Sequence, residues 1–353
     1  MAPPDFPAGG YVRDYVAFWA VWVALLLATV LFFRRTRAWT GRGRLVLGNL
    51  LVFASLLWTA VVAGETYLRY VYDATDSYGL TLTNFSWFKR HYVASSDGFR
   101  DREYDPTARP GVARVACVGD SFTAGYGVPD AADAWPQRVG AQLATARPGR
   151  FEVYNCGLIG HETGDELDLV RFLSNPRVAD HVIVGYCLND LDDLMPPGHR
   201  FDRGDAPRVP WIAPTRSFVL DFLWFRLKLR DDPRVRGYFD WVEGAYADPA
   251  LMARQAERFR QMAEVCRASG MRLDVVVFPF LSGWGENYRF DAAHDRVAAA
   301  WKSAAGVDVI DLRDAYRGIP GDQLVVNRFD AHPNARAHAI AAQTILARVF
   351  GVR

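Results

Sequence analysis

Two long uncharged runs near the amino terminus constrain the fold of this chain more than any other feature. Residues 15–33 (YVAFWAVWVALLLATVLFF) and 45–64 (LVLGNLLVFASLLWTAVVAG) contain no charged side chain. Each run is about the length of a helix that crosses a ~30 Å hydrocarbon layer. The alternative is a pair of buried core helices, but two such runs in tandem suit lipid better. The sequence therefore predicts a transmembrane helix hairpin within residues 1–64.

The charges around these runs predict on which side of the membrane the rest of the chain lies. The connecting segment carries five arginines and no acid: Arg34, Arg35, Arg37, Arg42 and Arg44. Positively charged loops stay in the cytoplasm. The first residues lack the strongly basic start of a secretory signal, and no cleavage site is evident. We therefore expect an inner (cytoplasmic) membrane protein in which everything after about Gly64 faces the periplasm or the cell exterior.

The remaining chain divides into a lead-in and one large domain. Residues 65–113 are mixed and turn-rich, which indicates a juxtamembrane stem and domain lead-in. Residues 114–353 alternate between strand-like and helix-like patterns, which predicts an α/β domain with a parallel sheet covered on both faces. An insertion of mixed character interrupts the alternation at about 196–249. The predicted strands are 114–118, 152–155, 181–188, 272–280 and 307–312, and the predicted helices are 135–146, 163–174, 250–268, 291–304 and 334–350.

The net charge and the spacing of the cysteines give no indication of nucleic-acid or metal binding. The net charge of +1 gives no reason to expect nucleic acid. The four cysteines form no CxxC pair and lack metal-site spacing, so buried free thiols are the preferred interpretation, with a disulfide left open. Three acids between residues 190 and 193 indicate a solvated face or a helix cap rather than a metal site. We expect no metal and no cofactor.

Polar side chains follow several of the predicted strands. Gly119-Asp120-Ser121 comes after the first strand, "NCGLIGHET" after the second and "LNDLDD" after the third. "NRFDAHPNARAH" comes after the fifth strand, just before the last helix. In open parallel sheets, ligands bind beyond the carboxyl ends of the strands. We therefore expect these segments to form one site at one edge of the sheet.

The residue types in these segments fit nucleophilic catalysis by serine. A serine hydroxyl needs a base, and histidine is the base best matched to neutral pH. The histidine needs an acceptor on its other ring nitrogen, and the developing oxyanion needs preorganised donors. Ser121 can supply the nucleophile, His332 the base and Asp330 its orienting partner, whereas Gly160 and Asn189 stand where oxyanion donors are needed.

With these segments in this order, the chain resembles the SGNH or GDSL-type hydrolases. The lead-in "SSDGFRDREY" looks like that of membrane-anchored bacterial members. The resemblance implies a three-layer, flavodoxin-like α/β/α domain and assigns Ser121 as nucleophile, His332 as general base and Asp330 as its partner. It also implies an oxyanion hole built from the backbone N–H groups of Ser121 and Gly160 and the side-chain amide of Asn189.

Two positions depart from the family pattern. The commoner spacing is Asp-x-x-His, whereas Asp330-Ala331-His332 is one residue shorter and Phe329 occupies the usual acid position. The asparagine block often has glycine two residues before the asparagine, and Cys187 stands there. The first departure bears on how Asp330 can orient His332. The second bears on how closely the backbone approaches a substrate.

The leading hypothesis is a membrane-anchored serine esterase that works through an acyl-enzyme on Ser121. The resemblance implies ester-bearing small molecules, glycans or lipids as substrates, such as acetyl or acyl esters of the cell envelope. An alternative is an O-acyltransferase to a glycan, which would need a multi-spanning membrane partner to deliver the acyl group. A third hypothesis is a catalytically silent binding module with the same fold, which a side chain of Asp330 turned away from His332 would favour.

Overall fold

A computed structural model of the chain describes residues 8–105, 109–175, 177–196 and 216–352. Of the predicted insertion at about 196–249, residues 197–215 therefore lie outside the described residues.

The two apolar runs lie in two long helices, α1 (Ala8–Arg35) and α2 (Arg42–Tyr70). Both are long and apolar enough to cross a membrane. Their apolar side chains mostly point away from the protein, with Phe53 63% and Leu56 65% exposed, so they are not helices of a buried core. The two helices pack against each other, and the Trp58 indole N–H donates to the carbonyl oxygen of Phe18 at 2.9 Å.

Five parallel strands form the main sheet: β1 (Ala113–Gly119), β2 (Phe151–Gly157), β3 (His181–Cys187), β4 (Arg272–Phe278) and β5 (Val309–Asp311). Their order is β2-β1-β3-β4-β5, and every neighbouring pair is parallel. This is the flavodoxin-like order of a doubly wound sheet. The predicted fold class is confirmed.

The described residues form ten further α-helices, besides short 3₁₀ and π-helical segments: α3 (Leu82–His91), α4 (Ser121–Ala124), α5 (Trp135–Ala146), α6 (Thr163–Ser174), α7 (Phe218–Asp231), α8 (Pro233–Ala247), α9 (Pro249–Ser269), α10 (Asp291–Ala300), α11 (Arg313–Tyr316) and α12 (Ala335–Ile345). Neighbouring side chains of a strand point to opposite faces. In the register of β3 and β4, Tyr186 and Phe278 therefore face opposite sides. Tyr186 contacts Phe259 of α9, and Phe278 contacts Trp135 of α5. Helices thus cover both faces of the sheet.

This double cover explains why the buried parts of β1, β3 and β4 are continuous apolar runs. Val115, Cys117 and Val118 are all fully buried, although Val118 points to the opposite face of β1 from Val115 and Cys117. All four cysteines are buried and free, as the preferred interpretation predicted.

The predicted helices 135–146 and 163–174 agree with α5 and α6 at both ends. Gly270, with φ of 70°, ends α9 in the left-handed conformation that favours glycine. The strand predicted over 272–280 is shorter in the structure, because the Phe280 N–H donates to the Tyr288 hydroxyl at 2.8 Å instead of joining the sheet.

A small antiparallel pair, β6 (Val325–Asn327) and β7 (Asp330–Pro333), lies outside the main sheet. It directly precedes α12 and carries both Asp330 and His332. The sequence pattern did not predict this pair, since each strand is only three or four residues long.

Helix α2 continues past residue 64 and packs against α7. The Glu65 carboxylate accepts hydrogen bonds from the backbone N–H groups of Phe218 and Val219, both at 3.1 Å, and from the Ser217 hydroxyl. It also pairs with Arg69 at 2.8 Å, and both side chains are fully buried. The end of the second apolar helix is therefore joined to the α/β domain by buried polar contacts.

Candidate active site

A row of three glycines makes room for the turn that carries Ser121. Gly119, Gly157 and Gly185 pair with one another across β2, β1 and β3. A methyl group on Gly119 would lie 2.7 Å from the carbonyl oxygen of Gly185, and one on Gly157 would lie 2.7 Å from the backbone of Thr123. Any side chain in this row would displace the short helix α4. Glycine is therefore needed before Asp120-Ser121 because the backbone of α4 rests directly on the strand ends.

Ser121 is the first residue of α4. The Asp120 carboxylate precedes it and accepts the Phe122 N–H at 2.8 Å, which caps the helix. The Ser121 hydroxyl lies 2.8 Å from Nε2 of His332, and Ser121 is 6% exposed. A serine and a histidine 211 residues apart in the chain are thus within hydrogen-bond distance.

The short Asp330–His332 spacing brings the acid to the imidazole. Residues i and i+2 of a strand point to the same face, and both residues belong to β7. Oδ1 of Asp330 accepts hydrogen bonds from His332 Nδ1 at 2.5 Å and from the His332 backbone N–H at 3.1 Å. Phe329 points elsewhere, because its ring lies 3.5 Å from the guanidinium of Arg226 on α7. The side chain of Asp330 is turned toward His332, so the arrangement that would favour a silent module is not present.

Two aromatic rings hold the His332 imidazole. Tyr126 packs edge-on against it at 4.6 Å between ring centroids, and Phe122 lies at 5.3 Å. Burial, the largest single influence, lowers the pKa of His332, but the charge and hydrogen bond of Asp330 together with smaller contributions from Asp120 and Asp76 outweigh it, so the pKa is raised above its usual value. The imidazole is therefore fixed in place and electrostatically favoured to accept a proton.

Asn189 lies beside the same turn. Its side-chain amide donates to Oδ2 of Asp120 at 2.9 Å. The Cys187–Asp190 turn that carries Asn189 is closed by the Cys187 N–H, which donates to the Asp190 carboxylate at 2.7 Å. Burial raises the pKa of Asp120, and hydrogen bonds from Asn189 and the Phe122 N–H partly oppose this increase. Asn189 and Ser121 are thus connected through Asp120, since Oδ2 of Asp120 also lies 3.3 Å from the Ser121 hydroxyl.

Gly160 lies in the turn that follows β2, at the same edge of the sheet. It lies with φ of 80° in an exposed turn after β2, and the turn is tied to β1 because the Leu158 N–H donates to the Gly119 oxygen at 2.9 Å. Within the part of the chain that the structure describes, no hydrogen bond joins Gly160 to Ser121, Asn189 or His332. The structure therefore brings together Ser121, His332, Asp330 and Asn189, and places Gly160 on a neighbouring turn.

Sequence reasoning missed two buried residues at this site. The Thr75 hydroxyl donates to Oδ2 of Asp330. Arg100, in the lead-in, donates to the carbonyl oxygens of Gly125 at 2.6 Å and Val128 at 2.7 Å and so fixes the loop after α4. The lead-in resemblance included Arg100 without giving it a role, and no local pattern marked Thr75.

The arrangement is suited to nucleophilic chemistry by a serine. The Ser121 hydroxyl, the His332 imidazole and the Asp330 carboxylate are in hydrogen-bond contact in that order, which is an arrangement that can activate a hydroxyl. Over the described ranges, no group of three His, Cys, Asp or Glu side chains is placed to hold a metal ion.

Comparison with known proteins gives one family. The model of the GDSL-like lipase/acylhydrolase family matches residues 117–340. No curated protein matches the chain.

Solved structures match the chain at low identity and low TM-score. The crystal structure of TesA is 16% identical, with 66% of this chain and 95% of that chain covered and a TM-score of 0.42. The psychrotrophic esterase EstA from Pseudoalteromonas sp., inhibited by monoethylphosphonate, is 11% identical, with 67% and 97% covered and a TM-score of 0.41. The lipase/acylhydrolase from Enterococcus faecalis is 16% identical, with 68% and 96% covered and a TM-score of 0.41.

Proposed function

Because this chain belongs to the GDSL-like lipase/acylhydrolase family, we propose that it is a membrane-anchored serine esterase with Ser121 as its nucleophile. The protein is a hydrolase of ester bonds. Beyond this activity, we propose an acyl-enzyme route, a set of catalytic residues and a membrane anchor.

One observation carries the catalytic proposal. The Ser121 hydroxyl lies 2.8 Å from Nε2 of His332, and Nδ1 of the same ring lies 2.5 Å from Oδ1 of Asp330. In this arrangement Nδ1–H donates to the carboxylate, so Nε2 is free to accept the serine proton. The net increase in the His332 pKa strengthens the imidazole as a base.

The first half of the reaction acylates the enzyme. The Ser121 oxygen attacks the ester carbonyl while its proton passes to Nε2 of His332. The negative charge moves to the carbonyl oxygen, where the N–H groups of Ser121 and Gly160 and the Asn189 amide would stabilise it. The C–O bond to the alcohol then breaks, and the alcohol leaves with the proton from Nε2.

The second half releases the acid. His332 takes a proton from water, and the resulting hydroxide attacks the acyl carbon. The bond to Ser121 then breaks, and the serine oxygen recovers its proton from His332. The Asp330 carboxylate accepts the hydrogen bond from Nδ1 and stabilises the imidazolium formed in each half.

Helices α1 and α2 support a membrane location. With the arginine-rich loop between them in the cytoplasm, the hydrolase domain lies on the periplasmic or extracellular side. Esters available there include acetyl and acyl groups on envelope glycans and lipids, which we propose as the substrate class.

Labelling with a fluorophosphonate probe tests the nucleophile. We expect the wild type to be labelled, and Ser121→Ala and His332→Ala to lose labelling. Ser174→Ala changes a half-buried serine at the end of α6, outside the site, and should label like the wild type. A folded wild type that resists the probe would contradict the proposal. Product analysis with an added glycan acceptor then distinguishes hydrolysis, which releases free acid, from acyl transfer.

A further inference from the structure

The segment between α2 and α3 passes directly behind the strand pair that carries Asp330 and His332. It contains two polar residues that are almost completely buried, Thr75 at 0% and Asp76 at 1% exposure. The Asp76 carboxylate folds the segment by accepting the N–H groups of Tyr78 at 3.1 Å and Leu80 at 3.2 Å. The segment is therefore an ordered part of the domain, although it lies outside the residues that the family model matches.

Thr75 contacts the acid of the Ser–His–Asp array. Its hydroxyl donates to Oδ2 of Asp330, while Oδ1 of the same carboxylate accepts from His332. The Thr75 carbonyl oxygen accepts the Asn327 side-chain amide at 3.1 Å, which fixes Thr75 against β6. Both oxygens of the buried carboxylate are thus satisfied, one by the imidazole and one by the threonine.

Ser77 fixes the backbone on both sides of Asp330. The Ser77 N–H donates to the Phe329 oxygen at 3.1 Å, and the Ala331 N–H donates to the Ser77 hydroxyl at 3.0 Å. With its neighbours held in this way, Asp330 can change direction only by rotation of its side chain. Thr75 opposes that rotation at Oδ2, and His332 opposes it at Oδ1.

The same segment also supports the ring beside the base. The Tyr126 hydroxyl donates to the carbonyl oxygen of Asp76 at 2.9 Å, and the Tyr126 ring packs on His332. Contacts from residues 75 and 76 therefore reach both the acid and the imidazole.

We propose that Thr75 is a positioning residue of the active site, whose hydroxyl fixes the Asp330 carboxylate so that Oδ1 faces Nδ1 of His332. The inference rests on the proposed function, since it assumes that this array is catalytic. Without the hydroxyl, Oδ2 is a buried carboxylate oxygen with one donor fewer, and rotation toward another donor would take Oδ1 away from the imidazole. The residues that follow the second apolar helix then complete the catalytic array.

A positioning role and a merely structural role predict different kinetics. Loss of a structural hydrogen bond lowers the thermal stability but leaves the turnover of the folded protein unchanged. Loss of a positioning hydrogen bond lowers kcat of the folded protein, because the imidazole is less often held in the reactive orientation, and leaves KM close to its original value.

The test is steady-state hydrolysis of p-nitrophenyl acetate by the full chain in detergent. A hydrogen bond to a charged group is worth enough that Thr75→Val should lower kcat by about tenfold to a hundredfold. Thr75→Ser keeps the hydroxyl and should recover most of the activity. Thr83→Val is the matched control, because Thr83 is equally buried in the same region but its hydroxyl contacts Thr81 instead of the site. Thr75→Ala replaces the valine variant if that variant does not fold.

The outcomes separate this inference from the proposed function. Wild-type kcat in folded Thr75→Val, or equal losses in Thr75→Val and Thr83→Val, would overturn the positioning role while leaving the esterase intact. A wild type that neither hydrolyses the ester nor reacts with a fluorophosphonate would overturn the proposed function itself, and the inference with it. A loss of kcat in Thr75→Val that Thr75→Ser restores would support both.

Discussion

His332 Nδ1 lies 2.5 Å from Oδ1 of Asp330, and only one residue stands between the two in the chain. The extended backbone of β7 makes this possible, because alternate residues of a strand share a face. The longer Asp-x-x-His spacing needs a different backbone path to reach the same contact. The departure from the commoner pattern therefore changes the local backbone and preserves the contact between acid and imidazole.

Replacement of Asp330 tests whether this contact is required. Asp330→Asn keeps the shape but removes the charge and favours the wrong imidazole tautomer, so we expect kcat to fall by about 10³- to 10⁴-fold. Ester hydrolysis measures the loss. Asp314→Asn, which removes an exposed carboxylate paired with Arg317, is the control and should keep full activity. Near-normal turnover of Asp330→Asn would mean that another group orients the base.

The pH dependence of kcat/KM reports the pKa of His332. The base must be unprotonated, so the rate falls as the pH drops through its pKa. Because the Asp330 carboxylate raises that pKa against the effect of burial, we expect the acid limb above about pH 6.5, the ordinary histidine value. In Asp330→Asn the uncharged side chain no longer raises the pKa of His332. Burial then remains as the main influence on that pKa, and the acid limb should move to lower pH. An acid limb well below the ordinary value in the wild type would contradict this account.

Asn189 is expected to act on turnover rather than on substrate binding. Loss of one oxyanion donor typically costs about 10²- to 10³-fold in kcat, which we expect for Asn189→Ala with KM little changed. Asn175→Ala, at an exposed position after α6, is the matched control. If the variant instead raised KM at constant kcat, Asn189 would bind the substrate in its ground state and would not serve the oxyanion.

Glu166 is expected to destabilise the fold at alkaline pH. Both of its carboxylate oxygens are buried, with no hydrogen-bond partner among the residues that the structure describes. Burial raises its pKa well above the ordinary value, and the nearby carboxylates of Asp120 and Asp165 raise it further. A folded pKa above the unfolded one means that stability is present at low pH and is lost as the pH rises toward the folded pKa.

Glu166→Gln should remove this loss of stability. We expect the variant to unfold at a higher temperature than the wild type at about pH 8 and at a similar temperature at about pH 4, with about 1.4 kcal/mol for each unit by which the pKa is raised. Thermal unfolding across pH measures the difference. Glu264→Gln, on the exposed face of α9, should show no such trend. Equal stability of wild type and Glu166→Gln at all pH values would show that Glu166 is not held neutral.

The ion pair at the end of α2 is expected to be important for stability. Glu65→Gln leaves the buried guanidinium of Arg69 without its counter-charge, which should cost about 3–5 kcal/mol. Denaturant unfolding in detergent and limited proteolysis near α7 measure the effect. Glu264→Gln again serves as the control, because an exposed pair contributes only about 0–1 kcal/mol. A stability close to that of the wild type would mean that α7 is held to α2 by apolar packing alone.

Local patterns in the sequence were sufficient to predict the strands of the main sheet. The buried parts of β1, β3 and β4 are continuous apolar runs because both faces of the sheet are covered, and α5 and α6 match their predicted bounds. Ser121, His332, Asp330 and Asn189 could be selected because each follows a strand or precedes the last helix, where a parallel sheet collects its functional groups.

The features that the sequence did not predict depend on contacts between residues far apart in the chain. Thr75 contacts a residue 255 positions away, so nothing near it in the chain indicates a role. The continuation of α2 into the domain was also missed, because Glu65 ends the uncharged run. In the structure Arg69, one helical turn later, neutralises that charge.

The buried contacts of Glu65 also determine how the active site can move relative to a bilayer. Six helical residues, 65–70, separate the end of the second apolar run from the end of α2, a rise of about 9 Å. Since α7 is hydrogen-bonded to this short extension, an anchored domain would be held at a fixed height and rotation, unlike a domain on a long flexible tether. Its range of action would be a thin layer next to the membrane surface. Esters on polymers far from the membrane would have to diffuse into that layer before Ser121 could reach them.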